Sequence, residues 1–290
     1  MADLLIGCSG WSYSDLSEEG GWVGPFYPNK STKPLPYYSQ YFRTAEFNAI
    51  YYEKFYEHMG AKTFEGMINA TPKNFEFSIK VPETITRKEK LGTDATPLFE
   101  EYLRRIEPLE KAGKLGAILF QMSPNFTVED FRNAEQFIDK LPREYDYALE
   151  FRHESWQTEG APELLQHYNI ASVITDSPDP KLQYLSEPIV TADHAFIRLH
   201  GRNEGFWYNY LYSKDELGPW VDKVSEIKNK AKTIRVYFNN HPGGKAVLNA
   251  LQFKELMGEL TEKEKEALAK AEEYLTGKKT TKTGLDQWVG

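Results

Sequence analysis

The 290-residue chain is poor in cysteine and histidine, has no long hydrophobic run and carries no excess of positive charge. Its single cysteine, Cys8, excludes an intrachain disulfide and suits a reducing compartment. No apolar stretch nears the roughly 20 residues that a membrane helix needs. The opening MADLLIGCSGW lacks a basic start followed by an apolar segment, so no signal peptide is expected. These features together predict a cytoplasmic protein with no membrane partner. A net charge of −8 and a pI near 5.4 exclude a generally basic nucleic-acid binder, while leaving local basic patches open. Neither a Walker-type nor a GxGxxG phosphate loop occurs; HPGGK at 241–245 is only a weak phosphate signal and reads equally as a turn.

Aromatic residues are abundant, with 18 Tyr, 17 Phe and 6 Trp. They suit core packing, and equally stacking on sugars or bases. Eight short apolar runs, at 4–11, 44–52, 75–82, 115–122, 146–153, 170–177, 194–201 and 233–240, alternate with helical or loop segments. Helices are expected at 96–113, 127–141, 161–168 and 215–231, the first from Leu98, Tyr102, Ile106 and Leu109 at helical spacing. Strands separated by helices pair in parallel, and eight such units in a chain of this length predict a single TIM-type (β/α)8 barrel of the α/β class, with a doubly wound open sheet as the alternative. Residues 1–290 read as one domain, 251–290 being its C-terminal helix and tail, of which 260–290 reads as a charged surface helix and a loose end. Two aromatic loops, at 12–36 and 202–213, would follow the first and seventh strands and lie on the C-terminal face, where such barrels build their sites.

Several of these strands alternate instead of being apolar throughout. Tyr147, Leu149 and Phe151 oppose Ala148, Glu150 and Arg152; Ala195, Ile197 and Leu199 oppose Phe196, Arg198 and His200. The second run sets Glu46, Asn48, Ile50 and Tyr52 against Ala45, Phe47, Ala49 and Tyr51. In a closed barrel one row meets the helices and the other the axis, so the polar row points inward. The inward set is Glu46, Asn48, Lys80, Gln121, Glu150, Arg152, Arg198, His200 and Asn239, with Asp176 a further candidate of ambiguous parity. Glu46, Glu76 and Arg235 come early in their runs and read as structural. Burying such groups costs several kcal/mol per ion unless they are paired, which a chain accepts where a ligand must be held. The set also reads as a self-neutralising network, for instance Glu46 with Arg152 and Glu150 with Arg198.

The blocks IGCSGWSY, GPFYP, LPYYSQYFRTAEFNAIYYEKFY, ILFQMSPNF, YALEFRHESW, TDSP, FIRLHGR and YFNNHPGGKAVLNA, spanning Ile6 to Ala250 in this order, resemble the YecE-like family, domain of unknown function 72. Cys8, Ala45 and Ala49 depart from the usual residues. The resemblance implies a TIM-type barrel, compared in fold with endonuclease IV and xylose-isomerase-like barrels, and no set activity. It marks Ser9, Trp11, Tyr13, Glu46, Asn48, Tyr52, Lys80, Gln121, Glu150, Arg152, His153, Trp156, Asp176, Arg198, His200, Arg202, Asn239 and Asn240 as site candidates.

A metal hydrolase would draw on Glu150, His153, Asp176, His200 and His241, but the neighbouring Lys80, Arg152 and Arg198 oppose added cations. No cofactor is therefore expected, a single divalent metal serving a hydrolase or isomerase being the alternative. A glycosidase pair such as Glu46 with Glu150 would be held ionised by those same cations, which suits a general acid poorly. An anion site fits better: Lys80, Arg152, Arg198 and Arg202 outnumber Glu46, Glu150 and Asp176 by one. The expected protein is an enzyme acting on a small or nucleic-acid-linked phosphate or carboxylate at the barrel mouth. Glu150, His200 and Asp176 are its catalytic candidates. Lys80, Arg152, Arg198, Arg202, Asn48, Gln121, Asn239, Trp11, Tyr13, Tyr52, His153 and Trp156 would bind the substrate. The competing class is a non-catalytic binder of exposed single-stranded nucleic acid.

Overall fold

The computed structural model describes residues 2–13 and 20–277. Within them eight parallel strands close into a barrel in chain order. They are β1 Asp3–Ser9, β2 Thr44–Phe47, β3 Glu76–Lys80, β4 Leu115–Gln121, β5 Tyr147–Glu150, β6 Ile170–Asp176, β7 His194–Leu199 and β8 Thr233–Phe238. Each falls on its expected run, β1 starting one residue before it, and ends one to five residues earlier. The helices are α1 Pro34–Tyr38, α2 Glu53–Tyr56, α3 Ala61–Asn69, α4 Ala95–Lys111, α5 Phe131–Asp139, α6 Gly160–His167, α7 Lys214–Ile227, α8 Lys245–Leu256 and α9 Glu262–Thr276. The four helices expected from periodicity are α4, α5, α6 and α7, with a 3-10 turn at Val128–Asp130 opening the second. Residues 251–256 complete α8, which is buried over β1 and β8. The charged surface helix is α9, packed on α8, and the rest of the expected tail, 278–290, lies outside the described residues. Residues 14–19 of the first aromatic loop also lie outside them; beyond these, Trp22 is buried and its Nε1 donates to His241 O at 2.8 Å, folding that loop against the end of β8. No helix among the described residues is long and apolar enough to cross a membrane.

Alternation along the strands divides the hydrophobic residues into two cores. Tyr147, Leu149, Ile197, Leu199, Val236 and Phe238 belong to the large core between strands and helices. Ala117, Leu119, Ala148, Ala171, Val173, Phe196 and Tyr237 form a small separate core on the barrel axis. The parity read from the sequence therefore holds along β5, β7 and β8. It fails past the end of β2, because the chain leaves the strand at Phe47 and enters a 3-10 turn at Ala49–Tyr51, which buries Ile50 in the outer core. In β6 the axial residues are Ala171 and Val173, which puts Thr175 inward and Asp176 on the outer row. Asp176 is therefore not part of the inward set.

The axis is polar at both ends. Near the strand starts Arg235 pairs with Glu76 at 2.7 Å and with Asp146 at 2.9 Å, the structural role expected of Glu76 and Arg235. In the middle Tyr237 Oη bonds Thr44 Oγ1 at 2.6 Å and Ser78 Oγ at 2.8 Å. Glu46 corrects the expectation that it sits early: β2 is so short that Glu46 lies level with Ser9, the last residue of β1. It belongs to the mouth layer.

Strands β1 and β2 share only the Cys8–Ala45 and Ser9–Glu46 pairs. The hydroxyl of Tyr38 fills the gap below, accepting from Cys8 N at 2.8 Å and donating to Thr44 O at 2.9 Å. Gly7 accommodates this inserted hydroxyl, since a Cβ there would lie 2.9 Å from it and 2.3 Å from Thr44 O. Buried backbone groups left unpaired cost about 1–3 kcal/mol each. Tyr38→Phe is therefore expected to lower unfolding free energy by about 2 kcal/mol or more, read from urea denaturation followed by circular dichroism.

Candidate functional site

A cavity of about 390 Å³ opens at the C-terminal ends of the strands, within the range of small-molecule sites. Its floor is polar, with Asn48, Lys80, Gln121, Arg198 and Asn239 from β2, β3, β4, β7 and β8 or the residues just after them. Its walls are aromatic, with Trp11, Tyr13, Phe47, Tyr52, Phe55, Tyr208 and the ring of His241. Gly10, with φ of 97°, turns the chain sharply out of β1, and the Tyr13 hydroxyl returns to donate to Ser9 O. This brings the Tyr13 ring onto His241, centroids 4.3 Å apart, while Trp11 stacks on Phe47 at 5.3 Å. Tyr52 and Phe55 remain 50% and 45% exposed at the rim, a large apolar surface for an unliganded edge.

The floor is built around Arg198. Its Nε and Nη2 donate to the two oxygens of Glu46 at 2.8 and 2.7 Å, a two-point fork, and Nη1 donates to Glu150 Oε2 at 2.5 Å. Burial alone would lower the Arg198 pKa, but the two carboxylates hold it above the ordinary arginine range. Burial alone would raise Glu150; Arg198, His200 and Arg152 outweigh it and keep its carboxyl well below the usual range. Glu150 Oε1 accepts from Gln121 Nε2 at 2.6 Å, and this turns Gln121 Oε1 toward Lys80, whose Nζ donates to it at 2.6 Å. The Lys80 ammonium also lies 3.6 Å from the centre of the Tyr51 ring. Burial first, then the Arg198 charge, lowers its pKa from 10.5 to about 7, against the upward pull of Glu46 and Glu150. His200 is lowered by burial and by Arg198 and is neutral at pH 7; Nδ1 meets Asn239 Nδ2 at 3.0 Å, and Nε2 lies 3.6 Å from Glu150 Oε1.

Eight of the residues proposed from sequence line the cavity: Trp11, Tyr13, Asn48, Tyr52, Lys80, Gln121, Arg198 and Asn239. Glu150 and His200 lie in the layer behind it, bonded to residues that do. Arg152 follows the end of β5, its Nε 3.7 Å from Glu150 Oε1 and its guanidinium 5.6 Å from the centre of the Trp207 ring. Five others, His153, Trp156, Asp176, Arg202 and Asn240, are placed elsewhere. His153 caps the 3-10 turn Glu154–Trp156, accepting from Ser155 N at 3.1 Å. Trp156 is buried against Phe151 at 4.1 Å and Phe126 at 5.1 Å, with Nε1 donating to Phe126 O. Asp176, on the outer row, accepts from Arg202 Nε at 2.8 Å, and Arg202 also reaches Glu216 at 3.2 Å. Asn240 ties Tyr210 O and Asn249 Oδ1 together at 2.8 Å. YALEFRHESW thus has two parts: Glu150 and Arg152 serve the floor, while His153 and Trp156 form the joint between β5 and α6. The wall residues Phe47, Phe55, Tyr208 and His241 were missing from the proposed substrate-binding set. Phe47 keeps its place on the outer row, in the large core, and its ring also reaches the cavity wall, where it stacks on Trp11.

Among the described residues no group of three or more His, Cys, Asp or Glu side chains is arranged to hold a metal. The position between Glu46 and Glu150 is filled by the Arg198 guanidinium.

A closed eight-stranded parallel barrel with a polar floor and aromatic mouth is a TIM-barrel protein with one candidate site at the C-terminal face. The chain belongs to the DUF72 family: the family model described as "Protein of unknown function DUF72" matches residues 5–273. That match runs beyond the sequence motifs, which end at Ala250, and takes in most of α9. The UPF0759 protein YunF of Bacillus subtilis is 28% identical over 283 residues, covering 88% of this chain and 94% of that protein. The UPF0759 protein YecE of Escherichia coli is 30% identical over 112 residues, 37% of this chain and 40% of that protein. Among solved structures, a DUF72 family protein from Thermotoga maritima is 32% identical with a TM-score of 0.73, covering 88% of this chain and 99% of that one. A DUF72 family protein from Enterococcus faecalis, 22% identical with a TM-score of 0.69 over 89% of this chain and 96% of that one, shares the fold.

Removing Arg198 strands two buried carboxylates. Arg198→Met is expected to lose about 3–5 kcal/mol of stability in urea denaturation, and the triple change Glu46→Gln, Glu150→Gln, Arg198→Met to recover much of it. Lys80 acts in the opposite sense, because the folded protein disfavours its charged form. In the unfolded chain the amine binds a proton near pH 10.5; in the folded protein it does so near 7. The wild type therefore loses stability as pH falls from 10.5 to 7, with a slope of up to about 1.4 kcal/mol per pH unit, and the penalty is constant below. Lys80→Met lacks this term, so its stability relative to the wild type should improve as pH falls through that window, measured by urea midpoints at several pH values.

Proposed function

We infer that this chain is an enzyme acting on a small phosphate- or carboxylate-bearing molecule held at the mouth of the barrel. The supporting observation is the charge balance of the mouth layer. Arg202 and Asp176 pair with each other off the axis, leaving Lys80, Arg152 and Arg198 against Glu46 and Glu150. Arg198 is occupied by both carboxylates, and Arg152 stands over Glu150. Lys80 is the cation on the cavity floor whose hydrogen-bond acceptor is an amide instead of a carboxylate. An anion seated there restores neutrality and favours the charged amine. Asn48 adds a buried Oδ1 with no partner, suited to a substrate hydroxyl. The aromatic walls suit the flat body of a sugar or base.

The proton-moving role expected of Glu150 and His200 passes to Lys80 in this reading. Glu150 stays ionised and cannot donate, and His200 stays neutral behind Asn239. Asp176, committed to Arg202, has no part in it. Lys80 can exchange a proton near neutral pH at the cavity surface.

A thermal-shift series at low salt with inorganic phosphate, sugar phosphates, nucleoside monophosphates and small carboxylates tests the reading. At least one class should stabilise the wild type, by on the order of 2.7 kcal/mol at a hundredfold excess over Kd, and the effect should vanish in folded Lys80→Ala. The exposed Tyr52, Phe55 and Phe206 supply the specific observation for the competing class, since such rings stack on bases. If no small anion shifts the wild type while an oligonucleotide binds with an affinity falling steeply with salt, the strand-binding reading replaces the enzyme.

A further inference from the structure

We propose that Lys80 forms a covalent bond to its substrate, its Nζ condensing with the carbonyl carbon of a small aldehyde or ketone that bears an anionic group. This rests on the anion-site reading above and adds the substrate class. Three features of the floor converge on it. The amine is buried in the layer that closes the cavity, beneath aromatic walls, with its Nζ confined between Gln121 Oε1 at 2.6 Å and the Tyr51 ring at 3.6 Å. Its acceptor is an amide oxygen, turned toward it because the other end of Gln121 is committed to Glu150 at 2.6 Å. A carboxylate at that place would lock the side chain as an ammonium. An amide accepts one N–H from either form and leaves the lone pair of the neutral amine free to attack.

The second feature is the surrounding charge. Glu46 and Glu150 face Arg198 and Arg152, two against two, so the amine meets neither a net anion that would hold its proton nor a net cation that would expel it. The fall of its pKa to about 7 agrees with that balance and with burial. The third is Asn48. Asn48 follows the end of β2 and lines the same cavity floor as Lys80, and its Oδ1 is buried without a partner. It is placed to accept from the hydroxyl that the carbonyl oxygen becomes.

The step balances without a further reagent. The ammonium of Lys80 gives one proton to solvent at the mouth, and the freed lone pair forms the C–N bond as the carbonyl π pair moves to oxygen. That oxygen takes a proton from the nitrogen, giving a neutral carbinolamine. A second proton returns from solvent, the C–O bond breaks, and water leaves an iminium. In sum, the ammonium and the carbonyl give the iminium and water. The iminium keeps one positive charge where the ammonium stood, and the substrate's own anionic group offsets it.

The test is reductive trapping. The wild type is incubated near pH 7 with sodium cyanoborohydride and, separately, pyruvate, glyoxylate and dihydroxyacetone phosphate, then digested and mapped by mass spectrometry. The expected result is one dominant adduct, the mass of the probe less one oxygen atom, on the peptide holding Lys80 for at least one probe. It should be absent in Lys80→Arg and reduced several-fold in Asn48→Ala, both shown folded by circular dichroism. Adducts scattered over surface lysines at equal levels in wild type and Lys80→Arg overturn the proposal, as does the absence of any adduct. Thermal shifts with the same probes without reductant separate the two readings. A probe that stabilises the wild type yet leaves no adduct on Lys80 overturns the condensation and leaves the anion site standing.

Discussion

One guanidinium holds the upper half of this barrel together. Arg198, on β7, grips Glu46 on β2 with two hydrogen bonds and Glu150 on β5 with a third, joining three strands across the axis. The desolvation of three charges is offset only because each oxygen and nitrogen finds a partner. The rest of the site follows from that arrangement. With one oxygen of Glu150 taken by Arg198, the other accepts from Gln121, and the orientation so imposed on Gln121 presents its carbonyl to Lys80. The state of the lysine at the cavity surface is thus set by a guanidinium several bonds away.

The opposite end of the axis uses a similar device. There Arg235 is held between Glu76 and Asp146, two carboxylates for one guanidinium. At the mouth Lys80 and Arg152 join the trio, and positive charge exceeds negative. This contrast separates a buried ion cluster with an excess of negative charge from one with an excess of positive charge. The loops complete the difference. Residues after β1 and β7 bring Trp11, Tyr13 and Tyr208 over the floor and narrow the mouth to a cavity sized for a small molecule, while Tyr52 and Phe55 leave an open aromatic rim.

The fold was legible because it depends on periodicity. Alternation along β5, β7 and β8 separated the axial residues from those meeting the helices, and the two hydrophobic cores follow that division. The floor residues Lys80, Gln121, Arg198 and Asn239 were legible for the same reason: each continues the inward row at the end of its strand. Parity carries no information once a strand ends. Ile50 was misassigned because a 3-10 turn begins just after β2, and His153 and Trp156 because the chain leaves β5 at Glu150.

By itself, then, the sequence determined the class of the fold, the direction in which the charged row points and the kinds of groups that meet on the axis, since all three follow from a repeat of two along a strand. Only the tertiary structure decided which charges neutralise one another. Asp176 is lost to Arg202, Arg198 is shared by two glutamates, and Lys80 faces an amide, because pairing depends on distances between strands far apart in the chain. The aromatic walls were decided there too, since loop conformation obeys no period that a sequence pattern can report.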